Sequence, residues 1–218
     1  KPAVEHAIYL IEAPPEELAA LDAQPEPVQL SPVGRLIERA RIEYDLRGTD
    51  TSIRMREAIT FANRPGMSQD DGAMAEIEAA IEDSDPLVRE LAILTTAQLH
   101  RFRALRVADL DIVHESVQYL SRMTHTSVIP ILIEILENPR TGFILEEGET
   151  IESDNDRSRM VALLRLVEWH TENAKSAVQG RKFDRDEHIV KAADRALELF
   201  PGPWSGPLKG TGALKENS

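Results

Sequence analysis

His114-Glu115 is the one place in this chain where a histidine precedes a glutamate; Glu5-His6 and Glu187-His188 run in the reverse order. A two-metal centre built from such pairs needs several of them, because each ion must fill its ligand shell. One pair cannot assemble it, so the six histidines (His6, His100, His114, His125, His170 and His188) read as scattered surface residues and no metal is expected. Asp154-Asn155-Asp156 offers oxygen ligands, but the glycine and distal glutamate of a calcium loop are missing. A helix N-terminal cap is the simpler reading. Thr124-His125-Thr126-Ser127 gathers hydroxyls and an imidazole without a nucleophile elbow, and Thr126 or Ser127 reads as the cap of a helix starting at Val128. No GxxxxGK or GxGxxG loop is present to cradle a phosphate, and the chain has no cysteine for thiol or disulfide chemistry. No catalytic residue and no cofactor follow from these residues.

The charges carry more information. Residues 66–100 hold one basic and eight acidic side chains, and residues 124–156 repeat that ratio. Between the two blocks stands His100-Arg101-Phe102-Arg103-Ala104-Leu105-Arg106. Arg101, Arg103 and Arg106 could hold an acidic peptide or a phosphate through forked hydrogen bonds, or they could neutralise the flanking acidic blocks within the molecule. The net charge of -13 repels nucleic-acid backbones and anionic membranes, although a local basic patch could still act. A third candidate is the stretch from Pro139 to Asp156, long for a connection, with Phe143-Ile144-Leu145 set between acidic residues. Connections of that length are contact surfaces or mobile segments.

Helices must position these groups. Sustained alternation is missing, as are Asn-Gly or Asp-Gly hairpins, whereas helical periodicity runs through most of the chain. The spacing predicts short helices near Val4–Ile11 and Glu16–Asp22, then an extended connector marked by Pro25, Pro27 and Pro32. Further helices are predicted at about 33–46, 51–62, 70–82, 86–101, 107–122, 126–137, 156–172 and 186–199. Asp50-Thr51 and Ser84-Asp85 serve as caps, and Pro86 takes the first helical position. After Pro201-Gly202 a Gly/Pro-rich tail should be mobile unless Trp204 docks. The expected organisation is a helical segment and connector at 1–32, a helical body at 33–200 and a tail at 201–218. Leu, Ile, Ala and Val would fill the core, since aromatic residues make up only 5% of the chain. No apolar run approaches a membrane span of ~20 residues, so a soluble, cytoplasmic protein without membrane insertion is expected. The chain begins at Lys1, which leaves room for an upstream segment that carried an address.

Weak internal repetition accompanies the helices. Met55-Arg56-Glu57, Val88-Arg89-Glu90, Val113-His114-Glu115 and Ser158-Arg159-Met160 are each followed by small or apolar residues. Asp85-Pro86-Leu87-Val88-Arg89 resembles the junction inside a HEAT repeat, and Val128 to Pro139 resembles the first helix of such a repeat. The resemblance covers about residues 50–170 and implies an all-α superhelix of antiparallel helix pairs with an atypical N-terminal cap. It implies that Asp85, Arg56, Arg89 and Arg159 are junction residues, each arginine bonding an aspartate or free carbonyls nearby. The expected function is a non-enzymatic scaffold that binds another protein through its concave face and the 139–156 loop. Arg101, Arg103, Arg106, Phe143, Ile144 and Leu145 are the candidate contacts. The alternative is a HEAT-like DNA glycosylase, for which Arg101, Arg103, Arg106, Arg181, Lys182 and Trp169 would be the material.

Overall fold

The computed structural model describes residues 34, 35, 58, 60–64 and 66–208. The helices expected at 4–11 and 16–22, the proline connector, the Asp50-Thr51 cap, Arg56 and the tail from residue 209 lie outside the described residues. The rest is mostly helical: α1 (Asp71–Ala79), α2 (Pro86–Arg106), α3 (Leu110–Arg122), α4 (Val128–Leu136), α5 (Asp156–Trp169), α6 (Glu172–Gln179) and α7 (Glu187–Leu199). Between α4 and α5 stand two antiparallel strands, β1 (Thr141–Glu146) and β2 (Glu149–Asp154).

Local chemistry sets the helix starts. Asp70, Asp85, Asp109 and Asp186 each accept an N–H of the first turn of α1, α2, α3 and α7, and Thr171 does so for α6. Pro86 sits at the first position of α2, where its missing N–H costs nothing. Two expected caps behave differently. Ser127 precedes α4 but gives its hydroxyl to His125 Nδ1 at 2.8 Å, and Asn155 precedes α5 but spends its amide elsewhere. Helix α5 stops where His170 turns left-handed at φ 49°.

Arginines close the other ends. The last carbonyls of a helix have no partner within it. Arg140 donates to Ala104 and Val107 at the end of α2, Arg165 to Met123 after α3 at 3.2 Å, and Arg159 to Leu136 at the end of α4 at 3.0 Å. Each contact ties one helix to a later segment of chain. Arg89 does the same locally, reaching Asp83 O at 2.7 Å and Ser84 O at 2.9 Å.

Packing follows the apolar faces. Helix α2 packs against α1, α3 and α4, α3 against α4 and α5, α4 against α5 and α6, and α5 against α6 and α7. The main core runs through Leu120, Leu132, Ile135, Leu163, Leu166, Val178 and Ile189, all buried. A second cluster joins Phe61, Met74, Ile77, Leu91 and Leu94 under α1 and α2. Arg89 stands on α2 and Arg159 on α5.

Two sequence expectations are corrected, and the docking left open for Trp204 is the outcome observed. The 139–156 stretch is a hairpin, not a loop. Glu147 and Gly148 make its two-residue turn with φ of 51° and 86°, the pair of positive values that a type I′ turn requires. Helix α2 runs on to Arg106, beyond the end expected at about 101, so Arg101, Arg103 and Arg106 all lie on one long helix. The tail from 201 to 208 is docked: Trp204 is buried, donates Nε1–H to Phe200 O at 3.0 Å and stacks on His170 at 4.8 Å.

Candidate functional site

The hairpin is built on a polar clamp. Asn155 N donates to Arg140 O and Arg140 N to Asn155 Oδ1, both at 3.0 Å, while Asn155 Nδ2 donates to Asn138 O at 3.0 Å. Asn155 is buried, so the two side-chain bonds and the backbone bond pair its amide groups away from water. Phe143 N donates to Ala108 O at 3.0 Å, which pins β1 to the α2–α3 turn. Gly142 makes that approach possible: a Cβ there would lie 2.3 Å from Ala108 O. Arg185 holds the far strand by donating to Asp154 at 2.8 Å.

Above the clamp the hairpin is acidic and apolar at once. Residues 141–154 carry five carboxylates (Glu146, Glu147, Glu149, Glu152 and Asp154) and no basic side chain. The pairing sets Phe143 opposite Glu152, Ile144 opposite Ile151 and Leu145 opposite Thr150. Alternation then puts Phe143 and Leu145 on one face and Ile144 with Ile151 on the other. Phe143 is 41% exposed, Leu145 69% and Ile151 40%, whereas Ile144 is half-buried. The apolar trio of the sequence is thus split, and Ile151 joins it from the opposite strand. Phe183, 97% exposed, stands two residues from the Arg185 that grips Asp154. Neither Ile151 nor Phe183 was singled out from the sequence; the alternation Thr150-Ile151-Glu152 was the available signal for the first.

Beside the hairpin base a cleft of about 450 Å³ opens where α3, α5 and α7 begin, lined by His114, Gln118, Asp156, Arg157, Asp186 and His188. His114 is buried between Gln118 Nε2 at 2.9 Å and Ser158 Oγ at 3.5 Å. Burial, then Arg157, holds its pKa below the ordinary histidine value against the pull of Asp111 and Glu115. The Asp156 and Asp186 carboxyls stand close enough to perturb each other's ionisation. Burial and that neighbour raise the Asp156 carboxyl, while Asp186 is held low, despite its own desolvation, by the N–H groups of Ile189 and His188 and by Asp156. Both also have structural tasks: Asp186 caps α7, and Asp156 accepts from Arg159 at 2.9 Å.

The arginines nominated from the sequence do not form one patch. Arg101 grips Glu134 with two bonds, at 2.6 and 2.7 Å. Arg103 turns the other way, to Ser68 O and to Asp71 at 2.6 Å. Arg106 is exposed and shares a polar cleft of about 520 Å³ with Arg101, Asn63, Glu134 and Asn138. Of the nucleic-acid candidates, Arg181 bonds Asp184, Lys182 lies 3.8 Å from Asp194, and Trp169 is buried. Asp85 accepts from Leu87 N at the start of α2.

Among the described residues no group of three or more His, Cys, Asp or Glu is placed to hold a metal ion, and no helix is long and apolar enough to cross a membrane. No protein-family model matches the sequence, and no curated protein matches it either.

Proposed function

We propose that this chain is a non-enzymatic binding module that takes a basic segment of another protein onto the 141–154 hairpin and the adjoining cleft. The scaffold in this reading is an α-solenoid of HEAT-like pairs, α2 with α3, α4 with α5 and α6 with α7. Its support is the packing, which runs α2–α4–α6 along one side and α3–α5–α7 along the other. One observation carries the function: the hairpin is clamped at its base by buried Asn155, yet its outward face presents Phe143 and Leu145 to water. Exposed apolar side chains ringed by charge are the anchors and rim of a contact surface. Five carboxylates around them select cationic partners and suppress acidic ones.

The test starts from partners recovered from the native host, each then titrated against the wild type and a Phe143→Ser/Leu145→Ser variant. Both residues lie on the exposed face, so the melting temperature should hold to within the ~0.5 kcal/mol usual for surface changes. Affinity should fall by at least about tenfold, the equivalent of ~1.4 kcal/mol. Equal affinity for every recovered partner would remove the hairpin face from consideration.

A further inference from the structure

Resting on the binding-module reading, we infer that β2 is an open docking edge, to which a partner adds an extended strand of alternating basic and apolar residues. The register identifies the edge. Phe143 N–H points away from β2, to Ala108 O. Antiparallel ladders alternate hydrogen-bonded and non-bonded pairs, so Phe143 and Glu152 are a non-bonded pair, and so are Leu145 and Thr150. The N–H and C=O groups of Thr150 and Glu152 therefore point outward from the hairpin. Thr150, Ile151 and Glu152 are all exposed, and among the described residues no backbone hydrogen bond reaches Thr150 or Glu152 from outside the hairpin. The two edges differ: β1 is occupied at Phe143 by the α2–α3 turn, and among the described residues β2 is open.

The side chains on this edge specify the added strand. Thr150, Glu152 and Asp154 share one face of β2, and Glu149, Ile151 and Ser153 the other. A strand laid against β2 would meet the Glu152 carboxylate, beside an Asp154 already bonded to Arg185, on the first face and the exposed Ile151 on the second. Alternating lysine or arginine with a β-branched residue satisfies both at once. A second copy of this chain is a poor occupant, because edge-to-edge pairing would set Glu149, Glu152 and Asp154 against the same charges. Strand addition supplies affinity through main-chain bonds and specificity through alternate side chains.

The probe is a capped seven-residue peptide alternating lysine and valine, with a glutamate–valine peptide as control. The lysine peptide should bind, the glutamate peptide should not, and binding should weaken with added salt. At saturation the Thr150 and Glu152 amides should exchange at least about tenfold more slowly with solvent. Thr150→Pro removes only an outward N–H, which an edge strand tolerates, and keeps every carboxylate; it should weaken binding at least about tenfold. N-methylation of the peptide at alternate residues, in one of its two phases, should do the same without altering the protein. If the peptide binds with both amides unprotected and Thr150→Pro is without effect, strand addition is refuted. The apolar face would then stand or fall by its own Phe143→Ser/Leu145→Ser titration. No binding of the lysine peptide up to millimolar concentration also refutes strand addition.

Discussion

Replacing Arg159 by methionine tests how this chain holds its helices together. The guanidinium is fully buried and makes three bonds: to Leu136 O at the end of α4, to Asp156 at 2.9 Å, and to Asp184, itself 3% exposed. Methionine fills much of the same volume, so the change isolates the polar contacts. Removing one partner of a buried pair costs about 3–5 kcal/mol, because the other charge is left uncompensated. Here the carboxylate is not wholly abandoned. Arg181 still lies 3.3 Å from Asp184, and Asp186 N still donates to it at 3.2 Å. The lower end applies, about 3 kcal/mol, which for a chain of this size lowers the melting temperature by roughly 6–12 °C.

Thermal and urea unfolding followed by circular dichroism measure this directly. Adding Asp184→Asn should recover part of the loss, since the buried charge then disappears with its partner, and the two changes should couple by about 1–3 kcal/mol. The pH dependence carries the same sign. Although burial alone would raise it, the Arg159 bond holds the Asp184 pKa below the ordinary aspartate value. Its stabilisation is present above the unfolded pKa and is lost as pH falls through the depressed folded one. A loss under about 1 kcal/mol in Arg159→Met, with no coupling to Asp184→Asn, would refute the staple.

Other perturbations address the remaining parts of the structure. Gly142→Ala should force β1 off Ala108 and cost about 1–3 kcal/mol by overpacking, with faster amide exchange at Phe143 as the diagnostic. Trp204→Ala should cost about 3 kcal/mol, the low end for a large buried ring at the margin of the core, and free the segment from 201 to 208 for proteolysis. His100→Phe should flatten acid sensitivity between about pH 6.5 and 4. Burial, then Arg103, holds the His100 pKa down to about 4, and burial raises Glu78, so both shifts oppose an ion pair at their 3.1 Å contact. Wild type should lose up to roughly 3 kcal/mol as pH falls through that window, less what protonated Glu78 returns, and the variant, still stacked on Tyr119, should not.

Helix type and most helix starts were legible because their signals are local. Asp85-Pro86 and Asp186 announce α2 and α7 without help from the rest of the chain. Helix α6 went unread, although Thr171 followed by Ala174, Ala177 and Val178 gives a cap and an apolar stripe; the segment is short and its buried residues are small. The hairpin was hidden for two physical reasons. Phe143-Ile144-Leu145 breaks alternation because both sheet faces carry apolar groups, and Glu147 takes a left-handed position that usually signals itself with asparagine or aspartate. Asn155 read as a helix cap because position alone suggests it. Its amide was instead claimed by carbonyl and amide groups 15 and 17 residues away, a non-local competition that no sequence window contains.

In the proposed binding module, that competition is what would hold the hairpin ready as a contact surface. A lone two-stranded hairpin is marginal in water, and a flexible apolar segment would lose affinity to the ordering that binding requires. Here the ordering is done in advance by buried Asn155 at the base, Phe143 N–H on Ala108, and Arg185 on Asp154. Asn155→Ala would therefore weaken binding without removing a contact, by releasing the hairpin from its frame. Phe143→Ser/Leu145→Ser would weaken it by removing contacts from a frame that stays rigid. Amide exchange at Phe143 separates the two causes, fast in the first variant and unchanged in the second. Fast exchange at Phe143 in the wild-type chain would mean that the hairpin is not held in advance and that binding must order it.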